Sequence, residues 1–207
     1  MTTPKQYGQW NSGTICRDLL WECCDLYART PEFEATYKKY YNNRVNKTFA
    51  NPEFHKHATE VVKEFYDYFS QHVDIWPMFG TLLGIIRTGE LIPHDNDVDF
   101  GFFKKDEVKV MELLEEMHEQ NGFKVIRNQF QTIFSVHKDE VLIDLYQYEL
   151  LEGSEIARQG SRPPYDLSRD EIYPFKEVDF SGKKIKWINN PVSFFERYYG
   201  NDWQTPK

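Results

Sequence analysis

One aspartate does most to limit how this chain can fold. Val141-Leu-Ile-Asp144-Leu-Tyr146 reads as a strand with a single acid among apolar residues. Alternation along a strand puts Leu142 and Asp144 on one face and Ile143 on the other. A lone charge there is costly unless it is paired or metal-linked. Asp144 therefore calls for partners brought in by the rest of the fold.

Candidates precede it in the chain. Val98-Asp-Phe-Gly-Phe-Phe103 reads as a second apolar strand, with Asp97 and Asp99 at its start, two residues apart. On a strand those two carboxylates point the same way. Side by side and unpaired they repel, and a cation between them removes the repulsion. Hard divalent ions prefer oxygen ligands, and Mg²⁺ (or Mn²⁺) is held by one or two carboxylates together with substrate phosphates. Asp144 then completes the set, as a further metal ligand or as a base near an attacking hydroxyl.

The segment before these aspartates supplies the anion side. Residues 74–79 read as a short strand, and Gly80-Thr-Leu-Leu-Gly-Ile-Ile-Arg87 as a turn into a helix. Gly80 lets backbone amides approach an anion at a helix N-terminus. The Thr81 hydroxyl can donate to a phosphate oxygen, and Arg87, about two turns on, can add a charge-assisted bond. No GxxxxGK[ST] sequence occurs, so this is not a P-loop.

The remaining pattern predicts an α+β protein. Three helical stretches open the chain: one around residues 15–27, one over 31–42 and one over 53–72. An amphipathic helix over 106–119 follows the second strand, with Val110, Leu113, Leu114 and Met117 inward and Glu112, Glu115, Glu116 and Glu119 outward. Strands are predicted over 123–127, 132–137 and 141–148, the last two joined as a hairpin. Residues 149–175 read as loop, 177–188 as a hairpin, and 191–198 as a final helix stopped by Gly200. Two units are expected: an N-terminal helical segment, 1–72, packed on a catalytic core, 73–207.

Composition narrows the function. Twenty-five basic against 33 acidic residues give a formal net charge of −8, and the acidity lies within residues 51–150. That speaks against a protein that coats nucleic acid, which would carry a basic stripe. It speaks equally against a polybasic membrane-surface module. There is no run of ~18 apolar residues to span a bilayer, and MTTPKQYGQWNSG lacks the apolar core of a signal peptide. The three cysteines, Cys16, Cys23 and Cys24, form no CxxC pair, so reduced thiols in a cytoplasmic setting are expected. His55 and His57 are two apart on a helix and do not face each other. His94 is expected to shape the rim of the site.

The order strand, Gly-Thr, helix, Asp-x-Asp strand, and a lone Asp on a later strand resembles the nucleotidyltransferase fold of the polymerase-beta superfamily. More narrowly, GTLLGIIRTGELIPHDNDVDF is similar to the signature of the LicD and fukutin-related family. The C-terminal Phe180-Ser-Gly, Pro191 and Tyr199-Gly-Asn-Asp-Trp203 also match that family, so the resemblance covers about residues 74–207. His94 and Asn96 depart from it, standing where the family commonly has Trp and Asp. It implies a mixed sheet flanked by helices. It also implies a transferase that moves a phospho-alcohol, such as phosphocholine or a polyol phosphate, from a CDP-linked donor to a glycan hydroxyl. Asp97, Asp99 and Asp144 would be the catalytic, metal-holding set, with Asp95 secondary, and Gly80, Thr81 and Arg87 would hold the donor. Two alternatives stand beside it: attachment of NMP from an NTP to a small molecule or protein, and a non-catalytic binding module on the same fold.

Overall fold

The computed structural model describes residues 47–128, 133–150, 153–158 and 165–206. The first two predicted helices and the three cysteines lie outside these residues. Helix α1 spans Pro52–Ser70. Asn51 caps it, its side chain accepting from the amides of Glu53 and Phe54 at 3.0 and 3.1 Å, and Pro52 stands in the first turn, where a missing N–H leaves no gap. Its apolar face, including Ala58, Val61, Val62, Phe65 and Phe69, is buried in the core.

Strand β1 (Ile75–Pro77) leads into α2 (Phe79–Thr88), and β2 (Val98–Phe103) keeps the predicted bounds. A short 3₁₀ turn then enters α3 (Glu107–Asn121), which buries Val110, Met111, Leu113, Leu114 and Met117. Strands β3 (Lys124–Asn128), β4 (Ile133–Lys138) and β5 (Val141–Leu150) follow. Asp139 and Glu140 take positive φ between β4 and β5, as a tight hairpin turn requires.

The sheet order is β1-β2-β5-β4-β3, with β2 and β5 parallel and the other pairs antiparallel. The α+β expectation holds: this is a mixed sheet flanked by helices. Val98, Phe100, Phe102, Ile143 and Leu145 turn to one face, where α1 and α3 bury them. Asp99, Gly101, Phe103, Asp144, Tyr146 and Tyr148 alternate onto the other. There a second core forms with Trp76, Phe79, Phe194 and Phe195. Trp76 lies against Gly101 so closely that an added Cβ would meet its indole at 2.6 Å.

The stretch read as loop holds structure too short to leave a periodic signal. Strands β6 (Ile156–Arg158) and β7 (Leu167–Ser168) extend the sheet from the end of β5. Helix α4 (Arg169–Ile172) is a single turn with a reciprocal cap between Ser168 and Glu171. A separate hairpin, β8 (Lys176–Phe180) with β9 (Lys183–Trp187), leads to α5 (Pro191–Tyr199). Arg197 of α5 donates to Glu171 at 2.5 Å and to the Asp166 carbonyl at 3.0 Å, fastening α5 over the second face. None of the described helices is long and apolar enough to cross a membrane.

Candidate active site

The site is built where β1, α2 and the start of β2 meet. The backbone turns sharply from β1 into α2 at Phe79, whose φ is +45°. The helix therefore begins one residue before Gly80, so Gly80 lies in its first turn rather than in a preceding loop. A Cβ on Gly80 would meet the Asp95 carboxylate at 2.3 Å, so only glycine allows this approach. One residue on, the buried Thr81 hydroxyl accepts from the Asp99 backbone N–H at 2.8 Å. The Met78 N–H donates to the Asp99 carbonyl at 2.9 Å. Asp99 is thus held through its backbone from both sides.

The loop after α2 is shaped by its own backbone. Asp95 N–H donates to the Ile92 carbonyl at 3.0 Å, and the Phe49 N–H donates to the Asp95 carbonyl at 2.9 Å. Burial pushes the Asp95 carboxyl up to about 6, and the neighbouring Asp97 charge and a hydrogen bond with Asp97 add to this. The Asn96 N–H, donating to Asp95 at 3.1 Å, and His94 act in the opposite direction.

Asp97 lies just outside β2, yet its carboxylate closes on the other two. Oxygen atoms of Asp97, Asp99 and Asp144 lie within 4.8 Å of one another. The parallel register explains the closeness, because Asp99 and Asp144 are direct partners across β2 and β5. Asp99 and Asp144 are only 7% and 9% exposed. Three carboxylates gathered this tightly, two of them buried, form the all-oxygen donor set that suits a hard divalent ion. The residues fit such an ion and could hold one.

Gly80, Arg87, His94, Asp95, Tyr199 and Trp203 are among the walls of a cavity of about 410 Å³ beside this cluster. Arg87 reaches across it to the C-terminal segment, donating to the carbonyls of Trp203 and, at 3.3 Å, Thr205. Trp203 packs on Phe195, and Tyr198 stacks on Phe194. Of the histidine pair, His57 lies 3.9 Å from Asp139, away from the carboxylates. Arg169 sits over the Tyr173 ring, while Tyr165 packs against Phe79.

One contact has no counterpart in the sequence expectations. Ser135 donates to Asp144 Oδ1 at 2.5 Å from the opposed position on β4. The available signal was a hydroxyl between the apolar Phe134 and Val136 in a predicted hairpin strand.

A sheet face bearing three convergent carboxylates beside a helix with glycine in its first turn is the arrangement of a nucleotidyltransferase-type transferase site. The family model described as "LicD/FKTN/FKRP, nucleotidyltransferase domain" matches residues 72–190, more than half of the chain, and the protein belongs to that family. The uncharacterized protein RP689 of Rickettsia prowazekii (strain Madrid E) is 24% identical over 135 residues, covering 62% of this chain and 48% of the relative. The uncharacterized protein RT0683 of Rickettsia typhi (strain ATCC VR-144 / Wilmington) is 25% identical over 129 residues, covering 62% of this chain and 40% of the relative. The chain thus spans less than half the length of these curated relatives. Among solved structures, ANT(2")-Ia in complex with adenylyl-2"-tobramycin aligns at TM-score 0.47 and 15% identity, over 71% of this chain and 78% of that one. The lincosamide adenylyltransferase LnuA, lincomycin-bound, aligns at TM-score 0.45 and 18% identity, over 64% of this chain and 78% of that one.

Proposed function

We propose that the protein is a metal-dependent phosphotransferase. It moves a phospho-alcohol, such as phosphocholine or a polyol phosphate, from a CDP-linked donor to a glycan hydroxyl. The surroundings are cytoplasmic and the products are precursors of surface polysaccharide. The observation that carries this reading is the convergence of the Asp97, Asp99 and Asp144 carboxylates next to the cavity at Gly80.

Each residue has a part in that chemistry. Asp97, Asp99 and Asp144 hold Mg²⁺ or Mn²⁺, which when bound screens the donor phosphates and stabilises their developing charge. Gly80, having no side chain, admits a phosphate to the first turn of α2, where unpaired amides favour an anion. Thr81 supports that turn through Asp99, and Arg87 holds the C-terminal wall of the donor cavity while adding positive charge beside it. Asp95 supports the carboxylate set. The acceptor oxygen bonds to the phosphorus that bears the alcohol, the phosphoanhydride bond to CMP breaks, and the hydroxyl proton passes to a carboxylate of the cluster. Positioning and electrostatics supply most of the rate.

A thermal-shift series with CDP-choline, CDP-ribitol, CDP-glycerol and CTP, with and without Mg²⁺, tests the donor class. A ligand that binds only the folded chain raises its stability. A selective, Mg²⁺-dependent shift with one CDP-alcohol and CMP release on turnover is expected. Pyrophosphate release from an NTP would move the assignment to NMP transfer. No binding of any of these compounds would leave a non-catalytic module.

A further inference from the structure

Ser135, Asp144 and Asp99 stand in one row across three adjacent strands. Asp99 opposes Asp144 in the parallel pair β2–β5, and Ser135 opposes Asp144 in the antiparallel pair β4–β5. Directly opposed residues share a sheet face. The row therefore runs from the candidate cation site outward, with Ser135 at its end. Neighbouring strands lie about 4.8 Å apart, so Ser135 stands roughly 10 Å from Asp99 along this row. A side chain as short as serine's cannot bridge that gap to a cation held between Asp97 and Asp99. Whatever Ser135 does at the site, it does through Asp144.

The contact itself is strong. The Ser135 hydroxyl donates to Asp144 Oδ1 at 2.5 Å, within the short range of O–H bonds to an ionised carboxylate. It matters because of what Asp144 lacks by itself. The terminal torsion of an aspartate is broad rather than sharply staggered. A carboxylate facing two others of like charge would swing away from them in the absence of a cation. A donor fixed on a neighbouring strand pins one oxygen and so limits how the carboxylate can turn. The two buried aspartates are thus each held by a hydroxyl from another element: Asp99 through its backbone by Thr81, Asp144 through its side chain by Ser135.

We propose that Ser135 is a positioning residue for the metal-holding carboxylates, fixing Asp144 in its ligating orientation before the ion arrives. This rests on reading the three aspartates as a divalent-cation site. Partners of this kind, bonded to a ligand rather than to the metal, typically change metal affinity 10–100-fold when removed.

The test is a Mn²⁺ titration followed by electron paramagnetic resonance on the purified chain, with Ser135→Ala, Ser135→Thr and Asp144→Asn alongside. Urea unfolding of each apo protein is measured in parallel. Ser135→Ala should bind Mn²⁺ roughly 10–100-fold more weakly, with an apo unfolding midpoint close to that of the parent. Ser135→Thr keeps the hydroxyl and should restore most of the affinity. In turnover, Ser135→Ala should lower kcat at saturating donor and shift the Mn²⁺ concentration needed for half-maximal rate by the same factor. Unchanged Mn²⁺ affinity in Ser135→Ala, with binding abolished in Asp144→Asn, would overturn the positioning role and leave the cation site standing. Failure of the parent protein to bind Mn²⁺ would overturn both.

Discussion

The Thr81 hydroxyl accepts a hydrogen bond from the backbone N–H of Asp99, 2.8 Å away and 18 residues further along the chain. Thr81 is 2% exposed, so this bond is sealed from water. It ties the first turn of α2 to the strand that carries the carboxylates. Thr81→Val removes the acceptor and leaves a buried amide unsatisfied, which costs about 1–3 kcal/mol. Thr81→Ser keeps the oxygen and should recover most of that. Urea unfolding of the metal-free protein measures both. Were the residue's part confined to the donor phosphates, Thr81→Val would unfold at the parent's midpoint.

Gly80 behaves differently. Alanine is favoured over glycine inside a helix by about 1 kcal/mol, so Gly80→Ala has a local gain to offset its crowding. The crowding falls on the Asp95 carboxylate, 2.3 Å from the added Cβ. That carboxylate is the end of a short side chain and can rotate away. Gly80→Ala is therefore expected to melt within a few degrees of the parent, yet to lose donor binding, because both the phosphate approach and the Asp95 position change. Comparing the thermal midpoint with the Mg²⁺-dependent shift on adding donor separates the two effects. A large drop in the midpoint would show that Asp95 cannot yield.

Asp99→Asn relieves repulsion in a site where three carboxylates have oxygens within 4.8 Å of one another. Without metal, the variant should match or slightly exceed the parent in stability, since one of the like charges is gone. With Mg²⁺ the order reverses. A cation at 100 times its dissociation constant adds about 2.7 kcal/mol to the parent, and Asp99→Asn should gain little of it. Equal Mg²⁺ stabilisation in both proteins would place the ion elsewhere. Turnover should be abolished in Asp99→Asn and Asp144→Asn alike.

Much of this site was legible before any coordinates. Asp144 stood out because a charge inside an apolar strand needs a reason. Asp97 and Asp99 stood out because their spacing matches the strand period. What the sequence could not show was register. Nothing local says that Asp99 faces Asp144, because that pairing joins strands well separated along the chain; Ser135 faces Asp144 across the predicted hairpin, but that register follows only once the turn is fixed at Asp139 and Glu140. Strands β6 and β7 were missed for another reason: at three and two residues they are too short for alternation to be counted. Arg87 shows a third limit. Its position near the glycine turn was readable, but its hydrogen bonds to the carbonyls of Trp203 and Thr205 depend on where the chain returns more than a hundred residues later.

Glu171 gives a prediction about acid stability. Burial alone would raise its carboxyl, but bonds from Arg197, the Ser193 hydroxyl and the Ser168 amide outweigh that and hold it below the usual glutamate range. The unfolded chain then takes up the proton at a higher pH than the folded one. The stabilisation is complete above the ordinary glutamate value of about 4.3 and is lost as pH falls through the depressed folded value. Breaking a fully buried pair costs about 3–5 kcal/mol. Arg197 keeps 42% of its side chain in water, and solvent screening lowers what the pair contributes, so about 2 kcal/mol is expected for Glu171→Gln at neutral pH. Below that depressed value the parent's own Glu171 is neutral, and the gap between the two proteins should narrow toward zero. Urea midpoints at neutral and acid pH measure it. The second face of the sheet depends on α5 being fastened by this network, so Glu171→Gln should also loosen the cavity wall at Tyr199 and weaken donor binding. A gap that stayed constant across the acid range would mean that the Glu171 charge contributes nothing to holding α4 against α5.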